Sequence, residues 1–126
     1  MNQRQELTQR VQDFIQDESH ANDDALNALA LEVFAFQYEH ISVVQNLAKE
    51  AGVSPQSITD WRDIPAVPTV AFKHLSLFAG DESAIKHTFQ SSGTSGASKS
   101  CSHFSVDGLA LMDAAIHANA SRMLLN

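Results

Sequence analysis

The sequence predicts an α+β fold that is predominantly helical, with N-terminal helices leading into a β-hairpin. Three observations carry this expectation. Apolar residues recur at helical spacing through residues 4–52 and again through 105–125. Alternation of the kind that makes a half-buried strand is confined to residues 85–90, with a second short strand at 101–104. Between the two strands lies Ser91-Ser92-Gly93-Thr94-Ser95-Gly96, four hydroxyl side chains and two glycines, a composition that turns a chain rather than extending it.

The first helix spans residues 4–17, because Leu7, Val11, Phe14 and Ile15 form one stripe with Arg10, Gln12, Asp13 and Gln16 on the other faces. Asn22 then caps a second helix, and Asp23 and Asp24 complement its dipole. The pattern continues without interruption through Leu26, Leu29, Val33, Ile41, Val44 and Leu47 to Gly52, which predicts one long helix ending at that glycine. Phe34, Phe36 and Tyr38 widen its apolar surface, and core packing explains them better than an acyl-chain pocket. The acidic pairs Asp17-Glu18 and Asp23-Asp24 are explained as helix ends rather than as a catalytic couple.

Ser54-Pro55 repeats a helix-start signal, and a short helix with Ile58 and Trp61 turned inward is expected. Pro65 and Pro68 make the next stretch an extended connector, since the residue before each proline is pushed out of helical geometry. Thr69 is expected to cap a further short helix whose apolar positions are Val70, Phe72 and Leu75, and Gly80-Asp81-Glu82 turns the chain into the first strand. In that strand Ile85, His87 and Phe89 point one way, and Lys86, Thr88 and Gln90 the other. The second strand returns antiparallel, so the glycine loop joins two paired strands. Ser105 caps the last helix, along which Leu109, Met112, Ile116 and Met123 recur.

Composition limits the function. A chain of 126 residues that is 44% apolar supports one modest folded unit. No apolar run approaches the roughly 20 residues of a membrane span, and the N-terminus lacks the apolar segment of a signal peptide, so a cytoplasmic protein is expected. The single Cys101 agrees with a reducing compartment. Residues 1–63 hold eleven acids and four bases and residues 64–126 four of each, which places the whole net charge of -7 in the first half. No basic patch exists for nucleic acid, and the neutral half that holds the glycine loop does not repel an anion.

The six histidines show no paired metal spacing. Cys101 and His103, two apart on a strand, share a face without orienting a base toward the thiol. The loop itself offers more. Glycines let backbone N–H groups approach an anion, and the hydroxyls of Ser91, Ser92, Thr94 and Ser95 add donors without fixed charge. A flexible linker has the same composition, and composition alone does not choose between the two. Neither the G-x-x-x-x-G-K-[ST] loop nor the G-x-G-x-x-G fingerprint is present.

Order along the chain adds a resemblance. Trp61-Arg62-Asp63-Ile64-Pro65-Ala66-Val67-Pro68-Thr69-Val70-Ala71-Phe72-Lys73, then Leu77-Phe78, then residues 89–96, resemble the LuxE-type acyl-protein synthetases of the adenylate-forming superfamily. The resemblance implies a larger α/β adenylate-forming domain, with residues 1–53 as an N-terminal helical region and 54–126 as its start. It implies ATP-dependent activation of a carboxylic, here fatty, acid as an acyl-adenylate, with transfer to a thiol. Ser91, Ser92, Gly93, Thr94, Ser95, Gly96 and Lys99 would then hold the ATP phosphates, with ATP and Mg2+ as cofactors. No metal ligand or catalytic residue is assigned in this chain. A carboxylic acid, a thiol acceptor and an acyl-reductase or acyl-carrier partner follow from the same resemblance.

Ser95 stands where the family's loop usually has a second threonine, and Ala97-Ser98-Lys99 lacks the usual proline. By position Cys101 is not the acyl-accepting cysteine. The family's adenine-binding segments, magnesium-associated acid and lid are expected beyond residue 126, which would make the isolated chain inactive. The competing reading is a small helical interaction module whose Ser/Gly stretch is a surface loop.

Overall fold

A computed structural model describes residues 2–17, 22–91 and 99–124. In order these are α1 (Gln3–Gln16), α2 (Asp23–His40), α3 (Ser42–Ala51), a single-turn α4 (Ala71–His74), β1 (His87–Gln90), β2 (Cys101–Phe104) and α5 (Val106–Leu124). The chain is therefore α+β and mainly helical, with one antiparallel hairpin among the described residues.

Helix α1 begins with a reciprocal cap. The Gln5 N–H donates to Asn2 Oδ1 at 2.9 Å, and the Asn2 N–H donates to Gln5 Oε1 at 3.0 Å. Its stripe turns inward at Leu7, which packs α1 between α2 and α5. At the other end Arg122 of α5 donates to the Ile15 carbonyl at 2.9 Å, occupying an acceptor that a helix C-terminus leaves without an intrahelical partner. Arg10 and Glu32 tie α1 to α2 at 2.7 Å, but both are half exposed, so the pair contributes at most about 1 kcal/mol.

The single long helix expected from Asn22 to Gly52 is two. Asn22 caps α2 through its side chain, accepting from the Asp24 N–H at 2.9 Å, and Gly52 ends α3 at φ 72°, as their residue types require. Between them Ile41 is extended, at φ -122° and ψ 110°. The core explains the break. Phe34, Val44, Ala48 and Ile58 form one buried cluster with Ile41 packed against it. In an unbroken helix Phe34 and Val44 would stand about 15 Å apart along the axis, and Ala48 farther still. Folding α3 back at Ile41 brings all three together, and a β-branched residue takes the extended conformation readily.

Beyond Gly52 the expected short helix is a turn. Ser57 Oγ accepts from the Ser54 N–H at 2.8 Å, and the Ser57 N–H donates to the Ser54 carbonyl at 3.0 Å. Ile58 is buried as expected, but Trp61 is not. Asp60 caps a 3-10 turn over Trp61–Asp63, which leaves the indole 41% exposed under the Arg62 guanidinium. Asn27 of α2 pins this segment, donating to the Thr59 carbonyl at 2.9 Å and accepting from the Trp61 N–H at 2.7 Å. In α4 the buried side is Ala71, whereas Val70 and Leu75 are exposed. Thr69 makes no side-chain cap there.

Candidate functional site

The hairpin sets the geometry of the glycine loop. Its ladder pairs His87 with Phe104, Thr88 with His103, Phe89 with Ser102 and Gln90 with Cys101. The strand begins at His87 rather than at residue 85, because Asp81 first caps a 3-10 turn over Glu82–Ala84. One further rung closes the hairpin. The Ser91 N–H donates to the Ser100 carbonyl at 3.0 Å, and the Ser100 N–H donates to Ser91 Oγ at 3.0 Å. Ser91 thus spends its hydroxyl on fastening the two ends of the loop. Lys99 is exposed beside this closure, and its carbonyl accepts from Cys101 Sγ at 3.8 Å. Ser92, Gly93, Thr94, Ser95 and Gly96 lie outside the described residues.

The two faces of the hairpin differ. On one, Phe89 lies between His87 and Phe104, with ring centroids 4.3 and 5.4 Å away. On the other, Thr88 Oγ1 and His103 Nδ1 are in hydrogen-bond contact at 2.8 Å, and Gln90 Nε2 reaches Cys101 Sγ at 3.8 Å. Cys101 and His103 share that face, as their spacing predicts, but each is engaged with its cross-strand neighbour rather than with the other. Among the described residues no group of three or more His, Cys, Asp or Glu is arranged to hold a metal ion.

Behind β2 lies a feature that spacing does not disclose. A cavity of about 350 Å³ opens between α1, α2, residues 77–79 and the β2–α5 corner. Its lining is mainly apolar, with Leu7, Val33, Phe36, Phe78 and Leu111 among the contributors. Arg4 stands at its mouth, the guanidinium carbon 5.6 Å from the Phe36 ring centroid and 5.7 Å from that of Phe78. Arg4 also borders a second, more open hollow of about 550 Å³ shared with Gly80, Asp81 and Lys86. Two hydrogen bonds from Ser83, the backbone one stronger, hold the Asp81 carboxyl below its ordinary value. Arg4, Phe36 and Phe78 are separated by tens of residues, so only the tertiary fold brings them together.

The family model of LuxE, acyl-protein synthetase, matches residues 6–111, most of the chain and all of the hairpin with its loop. The chain belongs to the LuxE acyl-protein synthetase family. It is also similar to a long-chain-fatty-acid–luciferin-component ligase of Photorhabdus luminescens, with 35% identity over 68 residues. The match covers 54% of this chain and 58% of the relative, so the chain spans less than two thirds of that protein's length. No solved structure matches. No helix among the described residues is long and apolar enough to cross a membrane.

Proposed function

We propose that this LuxE-family chain supplies the ATP-phosphate loop for activation of a fatty acid as an acyl-adenylate, with the acyl group passed to a thiol. The observation that carries the proposal is the closure of residues 91–100 by a fastened hairpin inside the family match. A bare linker has no need of ends held in register by a double Ser91–Ser100 bond, whereas an anion loop does, because its N–H groups must converge on one point.

In this reading residues 54–126 begin the adenylate-forming domain and residues 1–53 form its helical flank. Attack of a carboxylate on the α-phosphate leaves negative charge on the departing pyrophosphate. Preorganised N–H and O–H donors aimed at those oxygens lower that barrier. Ser92, Gly93 and Thr94 are the proposed source of these donors, joined by Ser95 and Gly96. Ser91 holds the loop's base, and Lys99 adds a cation beside it. Mg2+ would arrive with ATP and neutralise its phosphates. Among the described residues no group of three or more His, Cys, Asp or Glu is placed to hold that ion. A cytoplasmic setting, with an acyl carrier or acyl reductase offering the thiol, completes the proposal.

The test is binding of pyrophosphate and ATP to the chain by titration calorimetry. Gly93→Val and Thr94→Val should each weaken binding by at least about tenfold, or ~1.4 kcal/mol. Binding that is indifferent to both substitutions would leave the stretch a surface loop. Carboxylate-dependent pyrophosphate exchange by these 126 residues alone should be undetectable, because a loop that holds the phosphates does not by itself bind adenine.

A further inference from the structure

We propose that the cavity under the β2–α5 corner binds the alkyl tail of a medium-length monocarboxylate, with Arg4 receiving its carboxylate at the mouth. The pocket needs none of the loop's residues. It adds to the proposed function a place where an acid is held, in the helical flank of the chain.

Three observations converge on an amphiphilic anion. The cavity, at about 350 Å³, falls within the roughly 300–1,000 Å³ of small-molecule sites. Its walls are the apolar sides of Leu7, Val33, Phe36, Phe104 and Leu111, which suit a hydrocarbon and give a polar ligand little to bond. At the mouth, the Arg4 guanidinium lies over the Phe36 and Phe78 rings and pairs with no carboxylate among the described residues. A guanidinium over aromatic rings keeps its charge, and its planar fork of N–H groups matches a carboxylate with two parallel bonds.

The N-terminal end of α5 strengthens the site. Ser105, Asp107 and Gly108 border the same cavity, so the positive end of a 19-residue helix dipole lies there beside Arg4. Asp107 brings a negative charge, which that same dipole offsets. Gly80 holds the cation in place. A Cβ at Gly80 would come within 2.6 Å of Arg4 Nη2, and its φ of 154° is one that other residues rarely adopt. The small residue lets the guanidinium lie directly on the backbone.

Calorimetric titration of the chain with decanoate, below its micelle concentration, and with neutral decan-1-ol separates head from tail. The proposal expects one site for each. Arg4→Gln should weaken decanoate at least about tenfold while changing decan-1-ol less than about twofold, a selectivity of ~1 kcal/mol or more. Leu111→Trp, which fills the cavity, should abolish both. Should Leu111→Trp not fold, Val33→Phe fills the same space from α2. Phe36 and Phe78 ring signals should shift on titration. Absence of decanoate binding, equal binding by Arg4→Gln, or retained binding in a folded cavity-filled variant overturns the proposal. Pyrophosphate binding reports on the loop alone, so loss of either probe with the other kept shows which reading has failed.

Discussion

The α2–α3 end of the chain and the hairpin end are held by different physics. At the first, Phe34 and Ala48 are 1% and 0% exposed, and Val44 and Ile58 complete a continuous apolar cluster. At the second, two strands of four residues are joined by ladder bonds and by the Ser91–Ser100 closure, while Phe89 remains 43% exposed. Apolar burial stabilises in proportion to area and is shared by every residue of the cluster, whereas a ladder fixes register with little burial. The contrast suits their proposed tasks. A scaffold must not move, and a phosphate loop needs fixed ends with a backbone free to turn its N–H groups toward an anion.

The sharpest way to break this comparison is Phe34→Ala. Removing the most buried large side chain should cost about 3–5 kcal/mol, read as a fall in the denaturation midpoint of the whole chain. A loss under ~1 kcal/mol would mean that the cluster is not what holds the helical end. Asn27→Ala comes next. It removes two bonds that pin residues 59–61 onto α2, at an expected cost of about 1–2 kcal/mol, with deprotection of the Trp61 amide in hydrogen exchange. Protection unchanged at Trp61 would show that packing of Ile58, rather than the amide, sets this connector.

Why some of these elements were legible in the sequence, and others not, follows the same division. Asn22, Gly52 and Ser105 act through their own backbone neighbours, so their residue types were sufficient to place helix ends. The hairpin was legible because strand alternation and antiparallel return are both local. The break at Ile41 was not, because helical spacing runs through it unaltered. Only the need to bring Phe34 and Ala48 together decides it. The outward turn of Trp61 is hidden from the sequence for a related reason. Its large apolar ring predicts burial, but Asp60 and Asn27 fix its backbone with the indole outward. The loop's ends were legible, and its family was legible from ordered motifs. The Arg4 cavity had no signal at all, since residues 4, 36 and 78 share no spacing.

The mildest test falls on the closure of the hairpin. Ser91→Ala removes the hydroxyl that accepts from the Ser100 N–H but keeps the backbone rung between the same residues. Both positions lie where water can replace the lost acceptor, so the global cost should be only about 0.5–1 kcal/mol. The effect should instead be local, as faster hydrogen exchange at the Ser100 amide and weaker pyrophosphate binding from a loop whose ends no longer hold one register. If the global midpoint fell as far as it does for Phe34→Ala, hairpin and core would be one cooperative unit, and the division between a packed scaffold and a bonded loop would fail. If exchange quickened while pyrophosphate binding stayed unchanged, the hairpin would be fastened for the strands' own sake. Fixed ends would then no longer count as support for a phosphate loop.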